Sequence, residues 1–304
     1  MSPPAQTPAR VFFALALGLL SISFSAILVR LANEAPGLTI AAWRTAFAML
    51  VLAPAALLQY RSGSQKALNA RQWGMTGAAA VLLALHFILW IESLYHTSVA
   101  SASVLVSTTP IFLAVFGFLL LRERVRRLTL IAVAVGVAGA VLIGAGDAGS
   151  SLNANAGLGN GLALSASLAF AFYLLVGRAV RRGLQWLSYI FPLFTVVTVI
   201  ILLTAIVSGT PLFGFSPAFY GLCLAMAIGP QVFGHGSFNY ALRYLSPTLV
   251  GLLILLEPVV ASVAAFYLFE EMPGPVALGG MGLVIGSIAI AVIAERGPQA
   301  SPPT

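Results

Sequence analysis

Long apolar runs follow one another along the chain, parted by short breaks rich in charge, Pro, Gly or Asn. Ten can be delimited: Val11–Val29, Leu38–Leu58, Trp73–Tyr95, Ser98–Leu121, Leu128–Ala145, Leu158–Val176, Leu187–Val207, Pro217–Phe238, Leu245–Leu268 and Val276–Ala294. Each is too long for a soluble strand and close to the roughly 20 apolar residues that carry a helix across a bilayer. Lipid offers no partner to an unpaired backbone amide, and none of the runs alternates as a barrel strand does, so the pattern predicts helices. The expected fold is an all-α polytopic membrane protein with ten transmembrane helices.

Composition agrees with the pattern and narrows it. Of the 304 residues 60% are hydrophobic and only 8% are Asp, Glu, Lys or Arg, with a mean hydropathy of +1.02. A water-soluble domain carries about a quarter charged residues, so this surface meets lipid. Ten spans use most of the chain and exclude a large extramembrane domain. The net charge of +7 is dispersed between apolar runs and makes no continuous basic face, which argues against a nucleic-acid partner. A single cysteine, Cys223, gives no disulfide framework and no thiolate cluster. The pattern implies no metal and no cofactor. Arg10 followed by an apolar run resembles a signal peptide, but Val11–Val29 is nearly of span length and further spans follow, so it reads as an uncleaved first helix.

The sparse charges predict sidedness. With the N-terminus inside, the inner segments collect Arg10; Arg61, Lys66 and Arg71; Arg122, Arg124, Arg126 and Arg127; Arg178, Arg181 and Arg182; Arg243; and Arg296, which is 13 of the 15 basic residues. The outer segments hold Arg30 with Glu34, Asp147, Glu270 and Glu271. This asymmetry predicts both termini in the cytoplasm of a cell whose inner membrane holds the protein. The expected units are a tail at 1–10, a five-helix unit at 11–145, an outer linker at 146–157, a second five-helix unit at 158–294 and a tail at 295–304.

The two units match each other at an offset of 148 residues. Ser98, Pro110 and Glu123 fall on Ser246, Pro258 and Glu271 without a gap. Five spans per unit is an odd number, so the units insert with opposite orientation: two inverted five-helix repeats. Inverted repeats with mid-membrane helix breaks recur in alternating-access transporters, whose site lies near the midplane between the halves.

The stretch from Ser93 to Arg124, with its Thr108-Thr109-Pro110 step and its Leu121-Arg122-Glu123-Arg124 end, resembles the signature of the EamA-type transporters of the drug/metabolite transporter superfamily. The second half repeats it from Ala241 through Leu255-Leu256-Glu257-Pro258-Val259 to Phe269-Glu270-Glu271, and Ala42 to Phe47 resembles the Arg-containing second helix of that family. The resemblance spans Val11 to Ala294. It implies a carrier of small organic solutes such as amino acids, nucleosides, vitamins, nucleotide sugars or drugs. One departure stands out: Thr109 precedes the proline of the fourth run where Glu257 does in the ninth, so one half alone offers a central carboxylate.

Several polar residues lie where the bilayer should exclude them. An ionised acid at mid-membrane costs about 2.5–3.5 kcal/mol even on an insertion scale. Glu257, with no Lys or Arg at matching depth along the chain, is therefore a candidate proton carrier or a protonated carboxyl tied to a neighbouring helix. Pro110 and Pro258 remove amide protons, freeing the carbonyls of Val106 and Ile254. They mark hinges or tolerated kinks, with Ser107, Thr108 and Thr109 close enough to serve freed groups. Arg44, two turns inside the second run, cannot shed its charge; it pairs with Glu92 at comparable depth or faces an anionic group of a solute. His86, Trp90, Ser93 and Thr97 share one face of the third helix, and Gln231, His235 and Asn239 one face of the eighth. Such stripes line a cavity for an amphiphilic solute or bond helix to helix. Gly136, Ala140 and Gly144, and Gly282 and Gly286, predict close packing within the bundle or against a second copy in a homodimer.

The lead expectation is secondary transport of small metabolites, with export of amino acids or related solutes implied by the resemblance and uptake of a vitamin or other organic nutrient as the alternative. No GxxxxGK[ST] phosphate loop is present to spend ATP. An enzyme is disfavoured because HExxH and GxSxG are missing and His86, His96 and His235 fall at different depths. A passive channel is the remaining class.

Overall fold

The computed structural model describes residues 8–63, 68–97, 99–121, 125–146, 156–181, 184–260, 263 and 274–296. Among these the chain is all-α. Ten helical passages follow in order: α1 Ala9–Leu31, α2 Gly37–Arg61, α3 Ala70–His96, α4 formed by Val99–Val106 and Thr109–Leu121, α5 Arg127–Gly146, α6 Ala156–Arg181, α7 Trp186–Val207, α8 Pro217–Ala241, α9 Pro247–Val260 and α10 Pro275–Arg296. Eight are long and apolar enough to cross a bilayer; α5 and α9 contribute shorter apolar stretches. Side chains such as Phe13, Leu58, Leu120, Val207 and Ile293 stand exposed, as a lipid-facing surface requires.

Local chemistry starts the helices. Asn69 and Gln72 form a reciprocal capping box on α3, each accepting the other's backbone N–H at 2.9–3.0 Å. Ser216 and Ser246 cap α8 and α9, each followed by a proline whose missing N–H costs nothing in the first turn. Four passages are irregular. α1 breaks at Phe24, α4 at Ser107–Thr108 and α9 at Leu255, and α8 runs as π-helix over Ala227–His235. The breaks in α4 and α9 lie 148 residues apart, at the offset that relates the two halves, and each comes two or three residues before its proline.

Packing repeats the same symmetry. α5 packs on α10, α2 on α7 and α4 on α9, each against its counterpart in the other half. α3 packs on α6 as α8 does on α1, and α3 on α7 as α8 does on α2. Shifting each of these pairs by five returns a pair of the same set, which is what two inverted five-helix repeats produce.

The α5–α10 seam corrects the expected glycine stripes. The backbones meet at Gly139 and Gly280: a Cβ on Gly139 would lie 2.7 Å from the Gly280 carbonyl, and one on Gly280 2.6 Å from that of Gly139. Gly136 also belongs to the contact, against Ser287, and Ala140 is buried. Gly282 and Gly286 face open space. The contact thus follows a mixed three- and four-residue spacing, whereas a strict four-residue stripe drifts around the helix away from its neighbour. Close packing here is within one chain. Gly144 lies outside the residues whose burial is described.

Candidate functional site

The four irregular helices converge. A narrow cavity is bounded by Ile22 and Ser25 on either side of the α1 break, Val106 at the α4 break, His235 at the end of the π-helical segment, and Ile254 and Glu257 around the α9 break. Arg44 of α2, His86, Phe87 and Trp90 of α3 and Phe170 of α6 complete the wall. Its free volume is about 30 Å³, room for a water or two and not for an organic solute. A second groove of about 520 Å³ opens between α4 and α5, lined among the described residues by apolar side chains such as Phe118 and Leu130. Among the described residues no polar side chain lines it, whereas Arg44, His86, His235 and Glu257 line the smaller cavity.

Two of the wall's members correct expectations. Glu92 does not pair with Arg44: its Oε1 lies 3.1 Å from Nε2 of His96, one turn along α3. Arg44 is 1% exposed, its Nε, Nη1 and Nη2 have no hydrogen-bond partner, and its Cζ lies 4.5 Å from the centroid of the Phe87 ring. Nor is Glu257 far from every cation, since Arg44 borders the same cavity. Sequence depth alone did not bring α2 and α9 to one wall; the inverted packing of the repeats does.

The histidines are held differently. His86 Nδ1 lies 2.9 Å from the Ala166 carbonyl, an acceptor only, so Nδ1 carries the proton. The His235 ring stands among Phe87 at 4.9 Å, Phe170 at 5.5 Å and His86 at 6.0 Å between centroids, and its Nδ1 has no partner. Gln231, one turn earlier on the π-helix, is 0% exposed with both amide atoms unpartnered.

Other predicted site residues serve the framework. Thr109 Oγ1 donates to the freed Val106 carbonyl at 2.7 Å and lies 2.8 Å from Ser167 Oγ, so the α4 break is satisfied by its own threonine and by α6. Ser107 is buried beside the break and does not border the cavity. Asn239 donates to Tyr173 Oη and, at 2.7 Å, to the His235 carbonyl. Ser93 donates to Trp90 O and Thr97 to Asn160 of α6. Pro110 and Pro258 sit beside the breaks rather than in the cavity wall. Residues not picked out from sequence include Ser25, Phe87, Phe170 and Ser167. The doublet Ser165–Ser167 in an otherwise apolar α6 was the available signal for the last.

Hydrogen bonds tie helix ends together on both sides of the bundle. At the end where α2 begins, Thr39 and Trp43 donate to the Pro211 and Leu212 carbonyls, both at 2.7 Å, and Glu34 accepts from Ser216 N–H and Oγ at 2.9 and 2.8 Å. At the opposite end Arg181 donates to the carbonyls of Asn239 and Leu184 at 2.9 and 2.5 Å, and Arg178 to that of Leu242. Among the described residues no three His, Cys, Asp or Glu side chains gather as metal ligands.

A two-repeat helical bundle with a buried polar chamber between its halves is the architecture of a membrane transporter of small solutes. The sequence model of the EamA-like transporter family matches residues 10–145 and 157–293, and the chain belongs to that family, part of the drug/metabolite transporter superfamily. No curated protein sequence matches it significantly. A solved crystal structure is similar in fold with a TM-score of 0.79 at 17% identity, covering 95% of this chain and 99% of its own.

Proposed function

We propose that the protein is a secondary active transporter that exports amino acids or related amphiphilic metabolites across the cytoplasmic membrane by alternating access, with both termini in the cytoplasm. The observation that carries this reading is the chamber itself. Its wall draws on both halves, and each helix interruption borders it. Phe87, Trp90 and Phe170 give apolar faces for stacking, and Arg44, His86, His235 and Glu257 give polar groups for orientation. A volume of about 30 Å³ corresponds to an occluded state, so a solute enters only when one mouth opens. Rocking residues 11–145 against 158–294 would open the Trp43–Leu212 tie at one end or the Gln59–Gln185 hydrogen bond, 2.7 Å long, at the other.

Glu257 is the proposed proton carrier. It has no hydrogen-bond or ion-pair partner among the described residues and borders the chamber. In reconstituted vesicles, preloaded unlabelled solute should drive saturable counterflow of its labelled form, and an imposed pH gradient should drive net flux in wild type and not in Glu257→Gln. Flux that never saturates would point to a channel instead. Net flux indifferent to the gradient would remove the proton role.

A further inference from the structure

Arg44 is chemically unfinished. Burying a guanidinium without an acceptor is among the costlier things a membrane protein does, and arginine cannot escape by losing its proton. Among the described residues no carboxylate lies within ion-pair distance of it. The Phe87 face at 4.5 Å attracts the cation but accepts none of its five N–H donors. The titratable groups in its field are Cys223, His86 and His235, none of which offers a resident anion.

Two further buried side chains share the defect, His235 on the same cavity wall and Gln231 one turn before it on α8. Gln231 is sealed from solvent with its amide nitrogen and oxygen both unpartnered, and His235 Nδ1 is unpartnered beside it on α8. They sit on or next to the π-helical stretch, the kind of local insertion that proteins keep mostly where it serves a site. Wild-type packing could have removed each of these groups by a Leu or Met of similar size. A cation with five donors, a neutral amide able to donate and accept, and a ring nitrogen beside an aromatic wall together describe a cradle for a planar or tetrahedral oxyanion attached to an apolar body.

Resting on the transporter reading above, we propose that Arg44, Gln231 and His235 form the binding site for an oxyanion headgroup, a carboxylate or phosphate, of the transported solute, whose apolar part lies against Phe87, Trp90 and Phe170. The solute is then an organic anion or a zwitterion, and Arg44 is a substrate-binding residue rather than a structural one.

Two readouts test this on the purified full chain. The first needs no ligand. A residue kept for binding is a burden on the empty protein, so Arg44→Met should raise the apo melting temperature by roughly 2–4 °C, and Gln231→Leu should raise it by less. An Arg44→Met protein that melts lower, or fails to fold, makes Arg44 structural and overturns the proposal. The second compares matched probes on wild type: phenylacetate with phenylacetamide, phenylalanine with phenylalaninamide, and phenyl phosphate. At least one acid should bind about tenfold or more tighter than its neutral or amide counterpart, and Arg44→Met should lose that preference. Preference for phenyl phosphate alone assigns the headgroup as phosphate, and for the carboxylates as carboxylate. Amides that bind as well as their acids overturn the site. Counterflow separates the two readings. Exchange of neutral or cationic solutes that survives Arg44→Met leaves a transporter without this anion site, whereas acid-selective binding with no counterflow of any probe leaves the site and removes the transporter.

Discussion

α4 and α9 are the same helix twice, and they do opposite things. Both break 148 residues apart, both carry a proline just beyond the break, and they pack on each other across the repeat interface. In α4 the residue before proline is Thr109, which folds back onto the Val106 carbonyl at 2.7 Å and touches Ser167 at 2.8 Å, so the polar groups released by the break are consumed locally. In α9 that residue is Glu257, which borders the chamber without a hydrogen-bond or ion-pair partner among the described residues. The backbone keeps the symmetry and the side chains depart from it: one break is satisfied by its own threonine, the other presents a carboxylate to the chamber.

Substitutions can break this contrast in descending order of effect. Glu257→Gln should cut flux driven by a pH gradient about tenfold or more, an outcome measured in vesicles with and without the gradient, while counterflow persists because the neutral amide still fills the space. Gly139→Ala should cost about 1–3 kcal/mol, since the added methyl meets the Gly280 carbonyl and neither backbone can yield; thermal or chemical denaturation in detergent would register it. Gly282→Ala, on the expected stripe but facing open space, should change stability by no more than about 0.5 kcal/mol. Between these, Thr109→Val should cost about 1 kcal/mol by leaving the Val106 carbonyl to Ser167 alone, and should leave the gradient response intact. A lost gradient response in that variant would mean that the α4 break shares in coupling and that the contrast with α9 is false.

Smallest of all should be Glu92→Gln. Glu92 is 46% exposed and bonded to His96, and exposed pairs of this kind are worth about 0.3–0.5 kcal/mol. A wild-type gradient response and an unchanged Arg44 dependence would confirm that the two acids of similar apparent depth differ in role. If instead Glu92→Gln mimics a change at Arg44, the pairing excluded by the geometry forms in another state of the transport cycle.

How much of this was readable in advance follows from the range of each interaction. Helix number and the two-repeat plan were legible because hydropathy and inverted symmetry are properties of contiguous segments and of their order. The irregularities of α4 and α9 were legible because a proline removes a hydrogen bond four residues away and no farther. The partner of Arg44 was not, because Glu92 and His96 sit one turn apart on α3 and bond each other first, a competition that depth along a span does not register. The glycine seam was misread for a related reason: Gly136, Gly139, Gly280, Gly282 and Gly286 are alike in composition, and only the azimuth of α5 against α10 tells contact from lipid.

The chain by itself therefore determined that this is a ten-helix membrane protein of two related halves, since a low-dielectric solvent leaves a sequence this poor in charge few ways to satisfy its backbone. Tertiary structure decided where the few intramembrane charges meet. Arg44 of α2 and Glu257 of α9 are 213 residues apart, and only the crossing of one half over the other places both on the wall of one chamber. Electrostatics acts through space, so a charge acquires its meaning from the helix that packs beside it and not from the residues that precede it.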